Sequence, residues 1–147
     1  MSRKSIRRSR VGGGCYEWRL ALHDRPRVDD DRHAYRYTAA DGFEKLFSCP
    51  ESTGSYLSFD GQHLYLNQWY KERILQMDDK GNIERQINVG AEICGHTFVE
   101  GLIYVLRGRE NKGVPNKAEE WRIARLDPRE ESPIVEDLTT IPSHHAR

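Results

Sequence analysis

The chain has 147 residues, with 23 Lys or Arg balanced by 23 Asp or Glu, so its formal net charge is zero. A neutral chain has no overall electrostatic pull toward nucleic acid or anionic lipid, and no stretch approaches the ~20 apolar residues of a membrane span. Apolar residues make up 37%, below the ~45–50% usual for a globular domain, which argues against one thick core and for thin sheets with a solvated edge.

Residues 1–15 read as a basic, Gly-rich, disordered leader. Arg3, Lys4, Arg7, Arg8 and Arg10 fall there without an acid. A targeting arm or nucleic-acid tail is the functional reading of such a run. The plainer reading is preferred, because no aromatic residue sits among the charges to stack on bases. The apolar run that a secretory signal needs is missing. Cys15, Cys49 and Cys94 are odd in number and form no CxxC pair, so reduced thiols in a cytoplasmic protein are expected.

Residues 16–49 read as a partial first blade. Tyr16, Trp18, Leu20 and Leu22 alternate with Glu17, Arg19 and Ala21, the period of a strand. His23 to Arg32 is a connection. Tyr35-Arg36-Tyr37, then Ala40-Asp41-Gly42, then Phe43 to Phe47 read as strand, turn and strand.

Two full copies of a four-stranded unit follow, over 50–90 and 91–140. Phe59-Asp60-Gly61 before Leu64-Tyr65-Leu66 is echoed by Val99-Glu100-Gly101 before Ile103-Tyr104-Val105. An acid followed by Gly between short apolar runs is hairpin chemistry, with Gly supplying φ > 0. Arg73-Ile74-Leu75-Gln76-Met77-Asp78 matches Arg122-Ile123-Ala124-Arg125-Leu126-Asp127. The second copy carries extra residues in a long loop, 107–120, that holds Gly108, Gly113 and Pro115. A fourth strand follows in each copy, Ile83 to Val89 and Ile134 to Leu138. Residues 141–147, with His144-His145, read as a disordered tail.

A period near 40 with four short strands per repeat points to propeller blades. No window outside the loops shows a clean 3.6 period, so helices should be scarce. A β-sandwich is the competing fold, and the internal repeat decides against it. The expected class is therefore all-β, a partial β-propeller of four-stranded antiparallel blades, open rather than closed.

The cadence from Leu57 to Leu66 and from Glu72 to Gly81, an apolar strand, a polar loop, an Arg-Ile strand and an Asp-x-x-Gly turn, resembles the six-bladed propeller superfamily of gluconolactonase, streptogramin lyase and NHL-repeat proteins. The resemblance covers about 33–138. It implies about six blades, whereas two and a half are legible here. The chain is expected to be a fragment of a longer propeller, the alternative being a subunit that closes a ring by self-association.

In propeller geometry the loops joining second to third strands share a face with the connections between blades. That face would gather Asn67, Gln68, Trp69 and Tyr70, then Arg107 and Arg109, with Glu51, Ser52, Glu92 and His96 from the connections. His96 could act as a general base or metal ligand, or be a hydrogen-bonded packing residue in the place Tyr56 holds one repeat earlier. Glu51 and Glu92, with Asn67, could hold a hard cation such as Ca²⁺. The resemblance implies such a set in lactonase relatives, and solvated loop acids are the plainer reading. Trp69 and Tyr70 could stack on a ligand or pack between blades. Arg107 and Arg109 could clamp a carboxylate or phosphate or be solvated.

No phosphate loop, nucleophile elbow or HExxH motif is present. The expected function is a ligand- or protein-binding propeller module without a self-sufficient catalytic set. The alternative is a fragment of a metal-dependent lactone hydrolase or a streptogramin-lyase-like enzyme. The one cofactor these residues could hold is a divalent cation, Ca²⁺ or similar. The expected partner is a small molecule or protein at the loop face, with neither membrane nor nucleic acid.

Overall fold

The computed structural model describes residues 9–11, 14–21, 32–113 and 119–142, with 9–21 described by backbone pairing alone. Twelve strands there form three four-stranded antiparallel sheets, each a simple meander, and none closes into a barrel. The fold is all-β, an open, partial propeller-like stack. The first sheet contains β1 (Ser9–Val11), β2 (Gly14–Ala21), β3 (His33–Thr38) and β4 (Gly42–Ser48). The second contains β5 (Tyr56–Phe59), β6 (Leu64–Gln68), β7 (Arg73–Met77) and β8 (Ile83–Asn88). The third contains β9 (Glu92–Val99), β10 (Leu102–Arg109), β11 (Glu120–Leu126) and β12 (Glu136–Ile141). Two short 3-10 turns, Pro50–Ser52 and Trp69–Lys71, interrupt the strands. No helix of the described residues is long and apolar enough to cross a membrane.

Three boundaries differ from the sequence reading. Ile141, read as the first residue of the tail, ends β12 against Trp121. The other two lie at the leader, where the blade read as partial gains its fourth strand, and at the long loop. The first sheet reaches back into the stretch read as a leader, where Ser9 pairs with Tyr16 and Val11 with Gly14. A three-residue strand in a basic run leaves no periodic trace. Residues 1–8, the connection over 22–31 and His144-His145 lie outside the described residues. The loop read as 107–120 is also shorter. Arg107 pairs with Arg122, Gly108 with Trp121 and Arg109 with Glu120, so Arg107 and Arg109 belong to β10.

The turns form as their residue types require. Asp60 Oδ1 accepts hydrogen bonds from the backbone N–H groups of Gln62 (2.8 Å) and His63 (2.7 Å). Asp78 Oδ1 does the same for Lys80 (2.9 Å) and Asn82 (2.8 Å), and Asp127 Oδ1 for Arg129 (2.9 Å). An aspartate at a strand end thus closes its own turn. Gly81 also permits close packing: a Cβ there would lie 2.5 Å from the Phe47 ring of the first sheet.

Packing between sheets defines the core. One cluster joins Ala34 and Cys49 to Leu57, Leu64, Leu66, Leu75 and Met77. The other joins Tyr65, Ile74, Ile87 and Val89 to Ile93, Ile103, Val105, Ala124 and Leu126. The second sheet is covered on both faces, and every residue of β6 is buried. Each fully buried Leu or Ile contributes roughly 1.5–3 kcal/mol. Arg85 Nη1 donates to Pro128 O (2.7 Å) and latches the second sheet to the third on the turn face. The far face of the third sheet carries Leu102, Tyr104, Leu106 and Ile123, all half-buried. Their repeat counterparts Tyr65 and Ile74 are fully covered, which marks where the stack is open.

Candidate functional site

The end of β6 and the start of β9 meet at one face of the junction between the second and third sheets. The chain leaves β6 through the Trp69–Lys71 turn, which ends on Glu72 in the left-handed region (φ 54). Val89 N donates to Glu72 O (2.8 Å) and fixes that turn against the connection to β9. Glu92 opens β9 and is buried. Its carboxylate accepts from the Glu110 N–H (2.9 Å) and the Trp69 indole (3.4 Å) and pairs with Lys112 (3.2 Å). Burial pushes the Glu92 pKa up, but the Glu110 N–H, Lys112 and the indole outweigh it and hold the carboxyl below its usual range.

Aromatic side chains are arranged around this carboxylate. The Trp69 ring meets Trp121 edge-on (centroids 6.0 Å, 81°) and Tyr70 at a tilt (5.9 Å). Tyr70 is 67% exposed. Its hydroxyl donates to Glu110 (3.4 Å), and Lys112 Nζ lies 5.0 Å from its ring centroid. The result is a fixed base of Trp69, Trp121 and Glu92 under an exposed ring.

The arginines adjoin this platform. Arg107 Nε donates to Asp137 (2.8 Å) and its Nη1 to Val89 O (2.5 Å), so its guanidinium is held in place. Arg122 pairs with the other oxygen of Asp137 (3.0 Å). Arg109 is 63% exposed and reaches Glu72 only at 3.8 Å. Gly90, Ala91, Arg107, Gly108, Arg109, Glu120 and Arg122 line a cleft of about 240 Å³.

The first connection is a separate centre. Gln68 is fully buried, its Nε2 donating to Pro50 O (2.8 Å) and Thr53 O (3.1 Å) while Oε1 accepts from Arg73 Nε (2.6 Å). The amide is thereby committed to holding the Pro50–Ser52 turn. Glu51 has a positive φ of 56 and pairs with Arg73 (2.6 Å) and Lys71. Glu51 and Glu92 therefore each face cations of the chain. Among the described residues no group of three or more His, Cys, Asp or Glu side chains is placed to hold a metal.

His96 lies between the second and third sheets. Its Nδ1 is 2.7 Å from Asn67 Oδ1, and its Nε2 is hydrogen-bonded to Ser58 Oγ. Tyr56 and Phe98 meet the imidazole edge-on, with centroids 5.2 and 6.0 Å away. With the amide oxygen as acceptor, Nδ1 carries the proton and Nε2 accepts from the Ser58 hydroxyl. Burial lowers the His96 pKa to about 3, so the ring is neutral near pH 7. The order Ser–His–Asn matches that of an activated hydroxyl. Ser58 and His96 are only 6% and 5% exposed, and that burial denies a substrate carbonyl an approach to the hydroxyl. In this geometry the trio is an inter-sheet clasp.

No protein-family model matches this chain, and no curated protein matches it. The site therefore rests on its own geometry. Of the residues expected from sequence, the fold brings Trp69, Tyr70, Glu92 and Arg109 to one surface and Arg107 to the cleft beside it. It pairs Asn67 with His96 beneath, and it sets Glu51 and Gln68 around Arg73. Glu110, Lys112, Trp121, Arg122 and Ser58 were not expected. Arg122 was visible as half of the Arg-Ile repeat, but its face of the strand was not. Glu110 and Lys112 sat inside a stretch legible only as loop.

Proposed function

We propose that the chain is a ligand- or protein-binding module of a propeller, kin to the superfamily it resembles, and that its recognition surface is the loop face between the second and third sheets. The observation that carries this is Tyr70. It is a large ring left 67% exposed on a base fixed by the Trp69 and Trp121 contacts. An exposed aromatic over a rigid, partly charged surround suits recognition, because little side-chain freedom is lost on binding.

Thermal stabilisation tests the reading, since a ligand of the native state raises the melting temperature. The chain is screened against small saccharides, carboxylates, phosphates and short peptides, and the screen is repeated with Tyr70→Ala. Stabilisation by one class that is lost in Tyr70→Ala supports the surface. Stabilisation by a saccharide or peptide that persists in the variant contradicts the placement, and no stabilisation by any class contradicts the function.

A further inference from the structure

The cleft beside the Tyr70 platform has a definite chemistry. Three guanidiniums, Arg107, Arg109 and Arg122, line it with one acid, Glu120. Arg107 and Arg122 share a single carboxylate, Asp137, so two cations have one anion between them. Arg109 meets Glu72 only at 3.8 Å, beyond hydrogen-bond distance. The lining itself thus holds three cations to one acid, with Asp137 and Glu72 as their partners outside it.

The backbone brings the two arginine-bearing strands close together. Gly108 sits between Arg107 and Arg109 on β10, and a Cβ there would lie 1.8 Å from Glu120 O and 2.7 Å from the Trp121 ring. Any larger residue would push β11 away and separate Arg122 from Arg107. Gly90, at the other wall, has φ 74, a conformation that side-chain-bearing residues rarely adopt. Arg107, tied to Val89 O and Asp137, is immobilised before any ligand arrives, which reduces the ordering that binding would require.

We infer that this cleft binds a small oxyanion, a carboxylate or phosphate group, between Arg109, Arg122 and the fixed Arg107. Guanidinium is the donor suited to both groups, because its planar fork makes paired hydrogen bonds to their oxygens. The inference deepens the binding reading above and rests on it only for the choice of face.

The test is calorimetric titration of the whole chain with inorganic phosphate and, separately, with succinate, at low and high salt. Saturable binding of either anion is expected, weakening with salt as exposed charges are screened. Binding of phosphate alone or of succinate alone assigns the group. Arg109→Ala and Arg122→Ala should each weaken it by roughly tenfold, as for loss of a charge-assisted hydrogen bond. Glu120→Gln, which removes the acid of the lining, should tighten it. Arg109 is exposed on a strand end, so its variant folds without that side chain's packing. The inference is overturned if neither anion binds, if both arginine variants bind as the parent does, or if Glu120→Gln weakens binding. A saccharide that stabilises the chain through Tyr70 while neither anion binds would sink this inference and leave the binding reading standing. Anion binding lost in Arg109→Ala, with no Tyr70-dependent ligand, would uphold this inference and remove Tyr70 from the recognition surface.

Discussion

His96 Nδ1 lies 2.7 Å from Asn67 Oδ1, and this contact ties β9 of the third sheet to β6 of the second. The Ser58 hydroxyl on the other ring nitrogen adds β5 to the same clasp. Removing the ring would leave Asn67 and Ser58 buried without their partner and open a cavity beside Tyr56 and Phe98. His96→Ala should therefore destabilise the chain by about 3 kcal/mol. Urea unfolding measures this, and Glu84→Ala on the exposed side of β8 is the control, expected to stay within about 0.5 kcal/mol.

The same residue gives the stability a pH dependence. In the unfolded chain His96 titrates near 6.5, and in the fold near 3. A group whose folded pKa is depressed contributes its full stability above the unfolded value. That contribution is lost as pH falls from about 6.5 through about 3, because the unfolded chain takes up the proton first. The loss should approach about 1.4 kcal/mol per pH unit inside this window. His96→Gln should flatten the window between pH 6.5 and 4.5, above the carboxylate range. Unfolding midpoints measured across pH check this.

Gly108→Ala should be severely destabilising, because its Cβ would meet the backbone oxygen of Glu120, which has no free torsion by which to move aside. A loss of about 2 kcal/mol or more is expected from such overpacking. Gly113→Ala is the comparison. Its Cβ would meet no atom of the described residues within 4 Å, and its φ of 75 resists the change, so the effect should be about 1 kcal/mol.

Cys49 is buried in the cluster between the first and second sheets. Burial pushes its thiol pKa up to about 11, with Arg32 opposing. The thiolate is the reactive form, so Cys49 should resist iodoacetamide at pH 8 in the native state and react once urea unfolds the chain. Mass spectrometry of the alkylated peptides measures this. Rapid native labelling would contradict the packing of the first sheet on the second.

The turns and third strands were legible in the sequence because their causes are local. Asp60, Asp78 and Asp127 each close a turn through backbone groups two to four residues away, and the Arg-Ile runs keep their register in both full sheets. The clasp was not legible. Ser58 and Asn67 lie 38 and 29 residues from His96 and meet it only because two sheets stack. Gly108, Gly113 and Pro115 have loop composition, and in the sequence they mask the strand that carries Arg107 and Arg109. The pairing of Arg107 with Arg122 that makes them strand residues is set by the partner strand. β6 hid its faces for another reason: it is buried on both sides, so no alternation of apolar and polar residues survives.

The central claim is that the loop face between the second and third sheets is where this chain binds. Chemical-shift mapping of ¹⁵N-labelled protein against a mixed set of small saccharides, dicarboxylates and phosphates tests it most directly. The Trp69 and Trp121 indole N–H groups and the backbone amides of Tyr70, Arg109 and Lys112 should shift together on titration. Shifts confined to the turn face, at Asp60, Gly101 and Arg129, or no shifts with any of these compounds, would contradict it.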